Sequence, residues 1–366
     1  MGPRVTVLGS GVALGVYVPA LLAARRLARH GVDTETLVIE SLYTAAGREM
    51  LERYRQAYHR DFSTALMGHR MTRDVRPSLD EAVVTGLLDR WHAERRRHFA
   101  VWSGFWLPVL DRYRCERSPG PLSVDLCRID AEVSATFRIY QDLCAALGDE
   151  AREVWLWSWE RRGLVHELPV SDQAPVPWEE REDRLVVHGG GWGIGSYLGR
   201  VPELAEAGLA LDVVIHDPVE AGEREDGRRY FMVDPAWRAW REERCGFPPF
   251  GELREPAAFQ RRDERHEIYD LLRNSRAIVS KPGGGTLIDS LASATPVVLL
   301  EPYGYAEEAN AKVWEHLGFG VRYDRWRESG FSRDLLARLH RNLLDRPAGT
   351  IDYPAAFAAR FHGLAA

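Results

Sequence analysis

Lys281, the glycines Gly283, Gly284 and Gly285, Thr286 and Asp289 follow one another closely in the chain. Residues of these types in this order suit a phosphate. A glycine-rich turn feeding a helix leaves backbone N–H groups pointing outward, and the helix dipole adds partial positive charge there. Lys281, just before the turn, supplies a full charge. Thr286 is placed to cap a helix over 287–294. Asp289, one turn in, is placed to accept hydrogen bonds from two sugar hydroxyls. The expectation is a nucleoside diphosphate on the turn with its ribose on Asp289. The bland alternative is a strand, turn and helix packed only for stability.

The elements that must hold these residues are also legible. Ala277–Val279 is a short apolar run that reads as a buried strand end, and Pro296 stops the helix before a second run, 297–300. Leu185–His188 is another strand running into a glycine-rich turn, 189–195, ahead of a helix near 198–207. That is a second N–H-lined phosphate site, through Gly190, Gly191, Trp192 and Gly193. At the start of the chain, 5–8, the turn 9–15, a helix from about 19 to 30 and 36–39 spell β–turn–α–β, the opening of a doubly wound sheet. Its spacing is G-x-G-x-x-x-G, and only Glu40 offers an acid near the ribose position of a dinucleotide, so a nicotinamide or flavin site is weakly supported.

The run Lys-Pro-Gly-Gly-Gly-Thr, then Asp289, Pro296 and Glu-Glu-Ala-Asn-Ala at 307–311 resembles the donor region of GT-B nucleotide-sugar glycosyltransferases. The branch it resembles holds the peptidoglycan N-acetylglucosaminyltransferase and the diacylglycerol glycosyltransferases. The resemblance implies two Rossmann-like α/β domains facing across a cleft. It implies an N-terminal acceptor domain over 1–167, a linker over 168–184 and a donor domain over 185–350. A terminal helix within 351–366 would return to the first domain. Both glycine turns would face the donor diphosphate, Glu307, Glu308 and Asn310 the donor sugar, and Ser10, Gly11 and Gly15 the acceptor and phosphates. The nucleobase would sit near Phe259. The family commonly has Glu where Asp289 stands, and Gln where Ala306 stands.

The implied reaction is inverting transfer from a UDP-sugar or similar donor to a small-molecule acceptor, with no metal and no cofactor beyond the donor. A family His commonly stands where this chain has Val16, so the first turn holds no base. Weak candidates elsewhere are His69, His92, His98 and Asp111. Alternatively the acceptor is already nucleophilic and anionic, drawn by arginines at 25–29 and 95–97. A nucleotide-sugar 2-epimerase, a non-catalytic nucleotide-binding protein and a Rossmann oxidoreductase are the rival readings.

Composition sets outer limits. The 366 residues are 45% hydrophobic and 28% charged, with a net charge of −6, which fits about two globular domains and argues against a general nucleic-acid binder. Lys281 and Lys312 are the only lysines. The four cysteines have neither metal nor disulfide-scaffold spacing. No signal-peptide pattern and no apolar run of about 18 residues is present, so a cytoplasmic protein without a transmembrane segment is expected. Arg-bearing helical residues 44–98, expected to present a solvated basic face, leave room for an acceptor lid or peripheral membrane contact. The oligomeric state is not encoded in any of these features.

Overall fold

The computed structural model describes residues 3–12, 14–221, 227–254, 258–346 and 349–363. Ala13, in the first expected turn, lies outside them. The first sheet contains β1 (Val5–Gly9), β2 (Thr34–Val38), β3 (His98–Val101), β4 (Ser123–Arg128) and β5 (Ala151–Trp155). Its order is β2-β1-β3-β4-β5, with every neighbouring pair parallel. β1 is buried at every position, as a parallel strand covered on both faces requires. Helix α1 (Leu14–Arg29) buries Tyr17, Ala20, Leu21, Ala24 and Leu27 and gives way to Gly31 at φ 76°, the left-handed position that glycine tolerates best. The long crossover to β3 carries α2 (Ala45–Arg60), α3 (Phe62–Arg70) and a helix at Glu81–Ala93. α2 has no buried residue, so it is not a core helix.

The second sheet contains β6 (Arg184–His188), β7 (Ala210–Val214), β8 (Arg228–Val233), β9 (Phe250–Glu252), β10 (Ala277–Ser280), β11 (Val297–Leu299) and β12 (Gly320–Arg322). The order is β9-β8-β7-β6-β10-β11-β12, parallel except for β9. Strand order reverses between β6 and β10, and ligands of such sheets lie beyond the strand ends at that reversal. Residues 224–244 read as polar surface from their sequence, but β8 lies within them with Tyr230 and Met232 buried; residues 224–226 lie outside the described ones. Its two arginines hid it, yet Arg229 closes onto buried Asp212 at 2.6 Å.

Helix α4 (Gly284–Ser293) begins earlier than expected: Gly283 is its N-cap, with no side-chain cap bond, and Thr286 lies inside it. α5 (Tyr305–Leu317) follows β11. The segment between the sheets is anchored by Arg181, which is buried and donates to the carbonyls of Val176, Ser275 and Ser293. Near the C-terminus, Ile351–Asp352 pairs with His166–Glu167, and α6 (Tyr353–Phe361) packs on α1. Arg360 reaches Asp125 on β4 at 2.6 Å.

Candidate active site

One cavity of about 1220 Å³ runs between the two sheets. On the second-domain side it is lined by both glycine turns, through Gly189–Gly191 and Gly283–Gly285, and by Trp192, Lys281, Thr286 and Asp289. These turns leave the C-terminal ends of β6 and β10, the two strands at the order reversal. The N-terminus of α4 therefore points its free N–H groups into the chamber. Gly193 lies just beyond this lining; its carbonyl faces His59 Nδ1 at 3.0 Å.

The glycines also let the domains approach. A Cβ on Gly284 would stand 2.5 Å from the Ile129 carbonyl oxygen, and one on Gly285 would stand 3.1 Å from Gly15 Cα. A Cβ on Gly191 would lie 2.6 Å from the backbone nitrogen of Leu14. Backbone of one domain thus meets backbone of the other at the glycine turns.

Asp289 is buried, and His266 Nε2 lies 3.0 Å from its carboxylate. Lys281 is paired with Glu307, whose other oxygen accepts from the Tyr303 N–H at 2.6 Å. Glu308 lies off the cavity and binds Arg322 at 2.9 Å. Asn310 is fully buried and also off the cavity. Its oxygen accepts from the Ala131 N–H and Trp157 Nε1, and its nitrogen donates to Asp130 and the Pro282 carbonyl, all at 2.7–2.9 Å. Asn310 is a tie between domains with no capacity left over. Phe259 packs in the second-domain core, while Pro248, Phe250, His266 and Ile268 line the cavity in its place.

In the first turn, Ser10 donates to Glu40 at 2.5 Å and the Gly11 N–H donates to the same carboxylate at 2.7 Å. Ser10 and Gly11 are off the cavity, but Gly15 and Val16 line it. Tyr17 is buried and donates to the Gly246 carbonyl. The arginines at 26 and 29 pair with Asp172, and Arg96 pairs with Glu35 and Glu94; no arginine of 25–29 or 95–97 lines the cavity.

Among the weak base candidates, His92, His98 and Asp111 are remote: His92 contacts the Arg117 carbonyl, His98 the Phe361 ring, and Asp111 binds Arg114. His69 does line the cavity; its ring lies 4.7 Å from that of Tyr303, and its Nε2 is buried without a partner among the described residues. Burial lowers its pKa, so it is a neutral imidazole near pH 7. Asp130 lines the cavity too and was missed from sequence. It stands just past β4, and burial pushes its pKa up to about 6, against the bond from Asn310. The available signal was its place as the first carboxylate beyond an apolar strand.

Apolar side chains also line the first-domain wall, Leu14, Val16, Pro19, Leu22, Trp102 and Phe105, with Arg73, Asp74, Arg128 and Glu132 among the polar ones. At the mouth, Met50, Tyr54, Met67 and Met71 of α2, α3 and the residue after α3 are 40–64% exposed. Among the described residues no group of three or more His, Cys, Asp or Glu could hold a metal ion. No described helix is long and apolar enough to cross a membrane.

No family profile and no curated protein matches the sequence. Solved structures do match it across its length. Glycosyltransferase SnogD from Streptomyces nogalater aligns over 100% of both chains at 15% identity, with a TM-score of 0.54. SsfS6, a glycosyltransferase from Streptomyces sp. SF2575 complexed with thymidine diphosphate, aligns over 99% of this chain and 100% of its own at 13% identity, TM-score 0.53. MurG from Acinetobacter baumannii aligns over 99% and 100% at 11% identity, TM-score 0.51. The chain has the GT-B fold. In GT-B terms the cavity is the cleft between the two domains, and its glycine turns belong to the C-terminal one.

Proposed function

We propose that this protein transfers a sugar from a pyrimidine nucleoside diphosphate, UDP favoured, to a bulky apolar small molecule. The observation that carries this reading is the cavity between the two sheets. At one end it joins two glycine turns, Lys281 and buried Asp289; at the other it opens on a broad apolar wall with a methionine- and tyrosine-rich mouth. The first end suits a diphosphate and ribose, the second an apolar acceptor. A similarly folded glycosyltransferase has thymidine diphosphate bound, so TDP-sugars belong in the same test. A nucleotide-sugar epimerase has no second substrate, so the apolar chamber speaks against it.

The chemistry follows from the residues. The α4 N–H groups and Lys281 stabilise charge on the departing diphosphate without a metal. Lys281 meets the donor by exchanging Glu307 for a phosphate oxygen, which frees Glu307 for sugar hydroxyls. The acceptor oxygen attacks the anomeric carbon from the opposite face, with inversion. Asp130 takes the acceptor proton; a pKa near 6 leaves it mostly ionised at pH 7 and still basic enough to help. An anionic, pre-activated acceptor loses support because none of the arginines expected to attract it lines the cavity.

The test is incubation with UDP- and TDP-hexoses and a panel of hydroxylated polycyclic acceptors, read by mass spectrometry. An added hexose mass on an apolar acceptor supports the reading. Epimerised donor with no acceptor product would sink it. Activity lost in EDTA and restored by magnesium would remove the metal-independent part.

A further inference from the structure

We propose that His188 is a second donor-phosphate residue, a neutral imidazole N–H that binds the diphosphate beside Lys281. The proposal rests on the donor-site reading above and adds a contact which neither glycine turn supplies. His188 ends β6 and pairs in register with Ser280, one residue before Lys281 on β10. It is 6% exposed and lines the cavity. Its Nδ1 accepts a hydrogen bond from the Gly190 N–H at 3.1 Å. A neutral ring with Nδ1 accepting must carry its proton on Nε2. That Nε2–H is buried and has no partner among the described residues.

A buried N–H left unpaired is costly, and a charged oxygen is the partner that recovers most. A cation stands near the same turn: the Lys281 ammonium passes close to Gly190, 3.8 Å from where a Cβ would stand. The charged and titratable groups facing His188 are Lys281 and His216. Burial above all, then the Lys281 charge, disfavours a positive His188, and His216 is itself held neutral, its pKa pushed down to about 4. His188 therefore acts as a dipolar donor rather than as a counter-ion. As the bond from anomeric carbon to phosphate oxygen breaks, its electron pair stays on the diphosphate, and the imidazole keeps its proton while bonding that oxygen.

Two substitutions separate binding from loop support. In His188→Asn the amide oxygen still accepts from Gly190, but nothing reaches the Nε2 position; in His188→Gln an amide N–H returns to about that reach. The readout is the ratio of affinities for nucleoside diphosphate and monophosphate, UDP against UMP and TDP against TMP, by calorimetry at pH 6.0 and 8.5. Melting curves establish that each variant is folded. His188→Asn should lower the ratio about tenfold at both pH values, and His188→Gln should recover part of it. An unchanged ratio, or equal loss for both nucleotides, overturns the proposal in favour of a purely structural histidine. A deficit present at pH 6.0 and absent at 8.5 overturns it in favour of a cation. If the parent binds neither diphosphate, the donor-site reading itself fails, and this inference with it.

Discussion

At the scale of residues, Asp130 and Asn310 work as a unit. Asn310 fixes one carboxylate oxygen of Asp130, and on the proposed reading the other takes the acceptor proton. Asp130→Asn should cut kcat by about 10²–10⁴-fold while donor affinity holds, and the parent's kcat/KM should fall as pH drops through about 6, where the base becomes protonated. An Asp130→Asn enzyme with parental kcat would shift the role to His69, whose Ala variant is the matching control. Asn310→Ala leaves the Ala131 N–H, the Trp157 N–H, the Pro282 carbonyl and Asp130 without partners. It should destabilise the fold by about 3 kcal/mol, measured by urea unfolding. The sequence showed these two residues unequally. Asn310 sits in a polar helical run and looked like a sugar ligand, because its partners at 130, 131 and 157 lie far away in the chain and only folding buries it. Asp130 has no spacing partner at all; its meaning comes from a strand end that opens on the cleft. Lys281, Gly283–Gly285 and Asp289 were expected together because they lie close in the sequence, and all of them line the cavity.

At the scale of elements, α2 is the least expected piece. Its arginine-rich sequence suggested a solvated face, yet it crosses the cleft. His59 reaches Glu220 at 2.5 Å and the Gly193 carbonyl at 3.0 Å, and Arg238 reaches Glu52 at 2.5 Å. Glu220 raises the His59 pKa above 6.5, and His59, with backbone N–H groups, lowers that of Glu220 below 4.5 against its burial. The histidine contribution is complete below pH 6.5 and fades as pH rises through the higher folded value; the glutamate contribution is complete above pH 4.5. The tie is therefore fullest between about pH 4.5 and 6.5. Melting temperature should drop from pH 6 to pH 9 in the parent by more than in His59→Gln; equal drops would mean the pair contributes nothing. The α4 turn makes a second element-scale prediction. Gly284→Ala puts a methyl group against the backbone of Ile129, an overpacking that costs about 1–3 kcal/mol unless the domains part. Small-angle scattering should show a larger radius of gyration, and an unchanged radius with parental melting would refute the contact.

For the whole molecule, strand-and-turn reading captured two α/β domains because each opens with an apolar run feeding glycines. It missed β8, which opens on two consecutive arginines before its buried Tyr230 and Met232, and β9, a three-residue edge strand. Such edges carry too few residues for a period to show. One feature of the finished fold reaches beyond catalysis. α6 packs on α1, its Tyr353 ring lies 5.9 Å from that of Trp102, and its side chains meet Cys127 and Asp125. The N-terminal half is thus completed by residues near the C-terminus. During synthesis, the first domain leaves the ribosome with an uncovered apolar face, and it stays uncovered while the entire second domain is made. The waiting intermediate is where chaperones or aggregation should act. Stalled nascent chains ending at residue 345 should show protease-sensitive first domains, and chains extended through 363 should not.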